Sequence, residues 1–82
     1  MDKATKLAET KAVKKALKSE GIIGASVRHE DGWIQISDIW TDNQDDRNAI
    51  RIYVVALAQK ATGRDGDYHG RIQAAISLTS QS

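Results

Sequence analysis

Four lysines near the start of the chain, Lys11, Lys14, Lys15 and Lys18, recur at a spacing that gathers them on one side of a helix. Ammonium groups in such a row can neutralise phosphates, and each contact would steepen the salt dependence of nucleic-acid binding. Base edges are usually read by Arg, Asn or Gln, and the stretch from Lys3 to Ser19 holds none of these. A solvated face that keeps a small domain in solution accounts for the same row. Trp33 offers another kind of chemistry, since tryptophan anchors protein interfaces disproportionately. Covering the open face of a sheet is its other use.

Catalytic chemistry is thinner. His29 and His69 lie far apart, and no Ser or Lys is visibly paired with a base. There is no cysteine, which removes thiolate catalysis, thiolate metal ligation and disulfides together. No G-x-x-x-x-G-K-S/T or G-x-G-x-x-G pattern is present to cradle phosphates. Asp65-Gly66-Asp67-Tyr68-His69-Gly70 opens like a calcium loop, with oxygen ligands first and third and glycine sixth. Its fifth position is His69 and its twelfth is Ile76, where a bidentate Glu is required. A plain loop is the better reading. No catalytic residue, metal or cofactor is therefore expected.

The elements that must position these side chains follow from periodicity. Asp2 to Ser19 is rich in Ala, Lys and Leu and has no glycine, so it reads as a helix. Asp2 is its expected cap, and Gly21 its stop. Val13, Ala16 and Leu17 form a thin apolar stripe on that helix. Asp31-Gly32 suits a type I′ turn, whose two central residues need positive φ. A hairpin on that turn pairs Glu30 with Trp33, His29 with Ile34, Val27 with Ile36, Ala25 with Asp38 and Ile23 with Trp40. This register sends the apolar residues, Trp40 among them, to one face. Asp38 and Ile39 are the misfits, and a bulge near Ser37-Asp38 would exchange them.

Thr41-Asp42-Asn43-Gln44 matches a capping box, and Ile50, Val54, Leu57 and Ala61 follow as a buried helical stripe that Thr62-Gly63 ends. Arg71 to Thr79 alternates as a third strand, with a short helix as its rival. The expected fold is α+β in the order α-β-β-α-β, a small antiparallel sheet with two helices packed on one face.

Eighty-two residues make one domain, and a chain this short buries roughly 60% of its unfolded surface. The longest apolar run, Ile52–Ala58, falls well short of a membrane span. No secretory signal is read at the N-terminus, and the chain is expected in the cytoplasm. The net charge of +1 hides a basic first segment and an acidic middle. Residues 30–46 carry Glu30, Asp31, Asp38, Asp42, Asp45 and Asp46 with no base among them. Such asymmetry can steer partners.

Lys14-Lys15-Ala16-Leu17-Lys18, then Ala25-Ser26-Val27-Arg28, then Trp40-Thr41-Asp42 resembles the small modules found within large polyvalent proteins of phages and conjugative elements. The resemblance covers about residues 11–61. Asn43 stands where that family usually has glycine. It implies a mobile-element setting and no catalytic residue.

Together these observations point to a non-enzymatic interaction module, an accessory or host-modulating protein of a mobile element, acting through a protein partner. Binding of nucleic acid through Lys11, Lys14, Lys15 and Lys18 is the alternative. Ile52 and Val55 lie off the apolar stripe of their helix, so a homodimer with both near a two-fold axis is expected, with Trp33 as a further contact. The lysine reading has a direct test. Lys11→Ala, Lys14→Ala and Lys18→Ala should each weaken nucleic-acid binding and lower its salt slope by about one unit. Failure of the chain to bind any nucleic acid at low salt removes it.

Overall fold

A computed structural model describes residues 3–64 and 71–79. It contains helix α1 (Lys3–Ser19), strands β1 (Ser26–Glu30) and β2 (Trp33–Thr41), helix α2 (Gln44–Thr62) and strand β3 (Ile72–Leu78). The order is α-β-β-α-β, an α+β fold with helices packed on a three-stranded sheet whose central strand is β2. The Asp2 cap and the Asp65–Gly70 stretch lie outside the described residues.

The hairpin register is the one its turn dictates. Asp31 and Gly32 have φ of 53° and 83°, and Glu30, His29 and Val27 pair with Trp33, Ile34 and Ile36. The third strand forms, but it runs parallel to β2, so the expected antiparallel sheet is a mixed one. The reason is the length of the connection. A tight turn returns a chain antiparallel, whereas α2 between β2 and β3 carries it back to the end where β2 began. Ile34 then pairs with Ile72, and Ile36 with Ala74.

Beyond that point the register slips, because the next pair is Ile39 with Ile76. One extra residue sits in β2, and Asp38 takes φ of 61°. The bulge turns Ile39 into the core and Asp38 out to solvent. It also reverses Trp40, which is exposed rather than buried as its hairpin position implied. The hairpin is shorter than expected too. Gly24 takes φ of 86°, a conformation that turns the chain out of a strand, and β1 begins only at Ser26. Ile23 and Ala25 therefore have no strand partner.

Helix α1 buries Val13 and Leu17. Helix α2 is capped by Asn43, whose side-chain oxygen accepts from the Asp45 N–H at 2.9 Å. The expected capping box is displaced because Thr41 is still the last residue of β2. The buried face of α2 is Val54, Val55 and Ala58, with Ile50 and Leu57 half-buried on its flank. The stripe is thus rotated from the expected one, because α1 and the sheet both pack against α2. Val55 is core within one chain.

One side chain links these layers. Arg64 follows the Gly63 cap of α2, and its Nε and Nη2 donate to both carboxylate oxygens of Glu9 in α1, at 3.1 and 2.8 Å. Its Nη1 donates to the carbonyl of Gly32 in the hairpin turn at 3.1 Å and to that of Arg71 at 3.4 Å. The hydrogen bonds from Arg64, opposed by desolvation, hold the Glu9 carboxyl below its ordinary pKa of 4.5.

Two measurements check this architecture. A Cβ at Gly32 would lie 3.2 Å from Arg71 Nη1 on a backbone of positive φ, so Gly32→Val should lose on the order of 1 kcal/mol or more in urea unfolding. Unchanged stability would contradict the turn geometry. Arg64→Met should cost about 2 kcal/mol at pH 7, the scale of hydrogen bonds to a charged partner in a mostly buried site. A carboxyl with a depressed folded pKa stabilises above its unfolded value and loses that stabilisation as pH falls through the folded value. The gap between Arg64→Met and the parent should therefore narrow from pH 7 to pH 3, and a constant gap would show that the pair adds nothing.

Candidate functional site

An apolar groove opens where the hairpin has been cut short. The α1–β1 connection departs from β2 at Gly24, while β2 continues past its last β1 partner at Ser37. Between the two segments lies a cleft of about 480 Å³ lined by Ile22, Ile23, Ile39, Trp40, Ile50 and Tyr53, with Gly21 and Asp38 at its limits. A second groove of about 300 Å³ shares Ile22 and Ile23 and runs on to Lys14 and Lys18 of α1. Its floor is Leu17 and its far wall Gly24 and Ala25.

Apolar exposure concentrates here. Of the six large apolar side chains exposed among the described residues, three line this cleft, Ile23 at 72%, Trp40 at 61% and Tyr53 at 45%, while Leu7, Ile52 and Leu78 are exposed elsewhere. A small domain leaves such a group uncovered at a cost in solubility, which makes this cleft the candidate site. The polar rim is uneven. Asp38 accepts a hydrogen bond from the Ser26 hydroxyl, and the Tyr53 hydroxyl donates to Glu20, whose carboxylate raises the tyrosine's pKa. The acids at the rim are therefore engaged. Lys14 and Lys18 have no ion-pair partner among the described residues.

The titratable cluster of the chain lies elsewhere, inside the packing. His29 Nε2 is 3.0 Å from Glu9 Oε1, close but without the alignment of a hydrogen bond, and Nδ1 has no partner. Both ring nitrogens are inaccessible, so neither can reach a substrate in this conformation. Among the described residues no three His, Cys, Asp or Glu side chains converge as metal ligands. No described helix is long and apolar enough to cross a membrane.

The residues singled out from the sequence fall in different places. Lys11, Lys14, Lys15 and Lys18 are all exposed on α1, and Lys14 and Lys18 also line the second groove. Trp33 is half-buried opposite Glu30 and does not line the cleft. Ile52 is exposed, whereas Val55 is only 8% exposed within its own chain and has little surface to offer a second copy. Ile23, Trp40 and Tyr53 were not singled out. The signal for Trp40 was present in the misfit pair Asp38-Ile39, since the bulge that repairs it must also turn the next residue outward. Compared with protein-family models, curated proteins and solved structures, the chain matches none of them.

Proposed function

We propose that this chain is a non-enzymatic interaction module that holds a protein partner in the cleft between the α1–β1 connection and the end of β2. The observation that carries the reading is the joint exposure of Ile23 and Trp40 on either side of one apolar groove. Large side chains at the centre of a concave patch, with polar groups at its edge, are the usual anatomy of a binding hot spot. The resemblance to polyvalent-protein modules would make this contact part of the accessory machinery of a mobile element.

Nucleic-acid binding through α1 is the second reading. It is supported by the exposure of Lys11, Lys14, Lys15 and Lys18, none with an ion-pair partner among the described residues. It ranks second because phosphate neutralisation gives no role to the apolar groove.

Photo-crosslinking in the cells that make the protein separates the two. A benzophenone amino acid at position 40 or 23 should capture a discrete protein, and one at exposed Lys60 on α2 should not. Ile23→Asp should abolish the product from position 40 while leaving the domain folded. Equal capture from position 60, or none from positions 23 and 40, would remove the protein-binding reading.

A further inference from the structure

The cleft is also a strand edge. Ile34 N–H donates to the Arg71 carbonyl at 2.8 Å, and Thr79 N–H donates to the Thr41 carbonyl at 2.8 Å, so Ile34 and Thr41 both turn main-chain groups toward β3. Main-chain groups alternate sides along a strand. Trp40, next to Thr41, therefore turns its N–H and C=O to the opposite edge. Among the described residues that edge has no strand on it, because β1 ends its pairing at Ser26 and Ser37. The half-edge of β2 beyond the bulge thus has β3 on one side and the apolar cleft on the other.

We infer that this half-edge takes up an extended peptide segment of a partner protein, carrying apolar side chains with acidic neighbours. The inference rests on the protein-binding reading above and names the chemistry of the partner. A guest strand beside β2 would exchange main-chain hydrogen bonds with Trp40, the mode in which backbone supplies affinity and side-chain pockets supply specificity. The guest residue opposite Trp40 points to the same face as Trp40. Its neighbours on either side point inward, into the slot between Ile22, Ile39, Ile50 and Tyr53. These positions call for apolar side chains of moderate size.

Charge decides the rest. Asp38 and Glu20 each accept one hydrogen bond, from Ser26 and Tyr53, and keep their charge beside the slot, whereas Lys14 and Lys18 stand without ion-pair partners among the described residues along the second groove, which the slot joins through Ile22 and Ile23. Acidic side chains on the part of the guest that reaches this second groove find two ammonium groups, and basic ones there meet repulsion. A second copy of this chain is the less suitable occupant. Two-fold pairing sets the same patch against itself and would bring two lysine-edged grooves together.

The test uses the full folded chain, labelled with nitrogen-15, and two synthetic peptides of about seven residues, long enough for one strand. One alternates Val or Ile with Asp or Glu, and the other carries Lys in place of the acids. The acidic peptide should shift the amides of Ile23, Gly24 and Trp40, slow hydrogen exchange at Trp40, and bind more weakly as salt is raised. Lys14→Glu with Lys18→Glu, both exposed, should weaken it about tenfold and transfer the preference to the basic peptide. The inference is overturned if the two peptides bind alike, if the shifts lie elsewhere, or if no shift appears by about 1 mM peptide. It is also overturned if the Trp40 amide shifts on concentrating the protein alone, which would identify a second copy as the occupant. Crosslinking from positions 23 and 40 that persists while the acidic peptide fails removes the acidic chemistry only. Loss of both removes the protein-binding reading with it.

Discussion

The Arg64 guanidinium joins parts of the fold that have no covalent reason to be near one another. Glu9 lies 55 residues before it, and the Gly32 carbonyl 32 residues before it. A domain of this size buries too little apolar surface to be indifferent to the loss of such a link, and without cysteine it has no disulfide to take its place. The planar fork is the reason the residue is Arg. It donates to both oxygens of one carboxylate and still has Nη1 to spend on two carbonyls, which an ammonium on a flexible stem cannot do in fixed geometry. With Glu9 and the hairpin turn pinned, α1 is held against the sheet over Val13 and Leu17.

The exposure of Trp40 beside the cleft then follows from one extra residue in β2. Without the bulge at Ser37-Asp38, Ile39 would face solvent and Trp40 would enter the core. With it, Ile39 closes the core above Ile36 and Trp40 is delivered to the surface beside a strand edge that β1 no longer covers. The same bulge sets Asp38 where the Ser26 hydroxyl can reach it, and that hydrogen bond marks the end of β1. Bulges often re-aim a side chain and terminate pairing near functional sites. Here both effects act at one place, and they leave an apolar slot beside a pair of main-chain groups that have no strand partner among the described residues.

Helix α2 shows how the same physics works across a longer distance. Its first turn is fixed locally by Asn43 and by Asp45 and Asp46, whose charge suits the positive end of the helix. Its rotation is fixed by what packs on it. Val55 turned inward because α1 lies against α2 as well as the sheet, and Ile52 was left outside. A helix that is apolar on more than one side can satisfy two neighbours within one chain as readily as one neighbour and a second copy.

Much of the architecture was legible in residue types and spacing alone. The turn at Asp31-Gly32, the register from Glu30–Trp33 to Val27–Ile36, both helices and the third strand each depend on a short-range pattern. A positive φ that glycine permits, a period of two, and a period near 3.6 are properties of neighbouring residues, and neighbours are what a sequence lists. The exposed lysine face of α1 was legible for the same reason. The burial of Val55, the exposure of Ile23, and the clasp of Arg64 on Glu9 were not. Each is a choice between arrangements that satisfy the local pattern equally well. That choice is settled by the summed packing of α1, α2 and three strands, whose contacting residues lie far apart along the chain and meet only when the fold is complete.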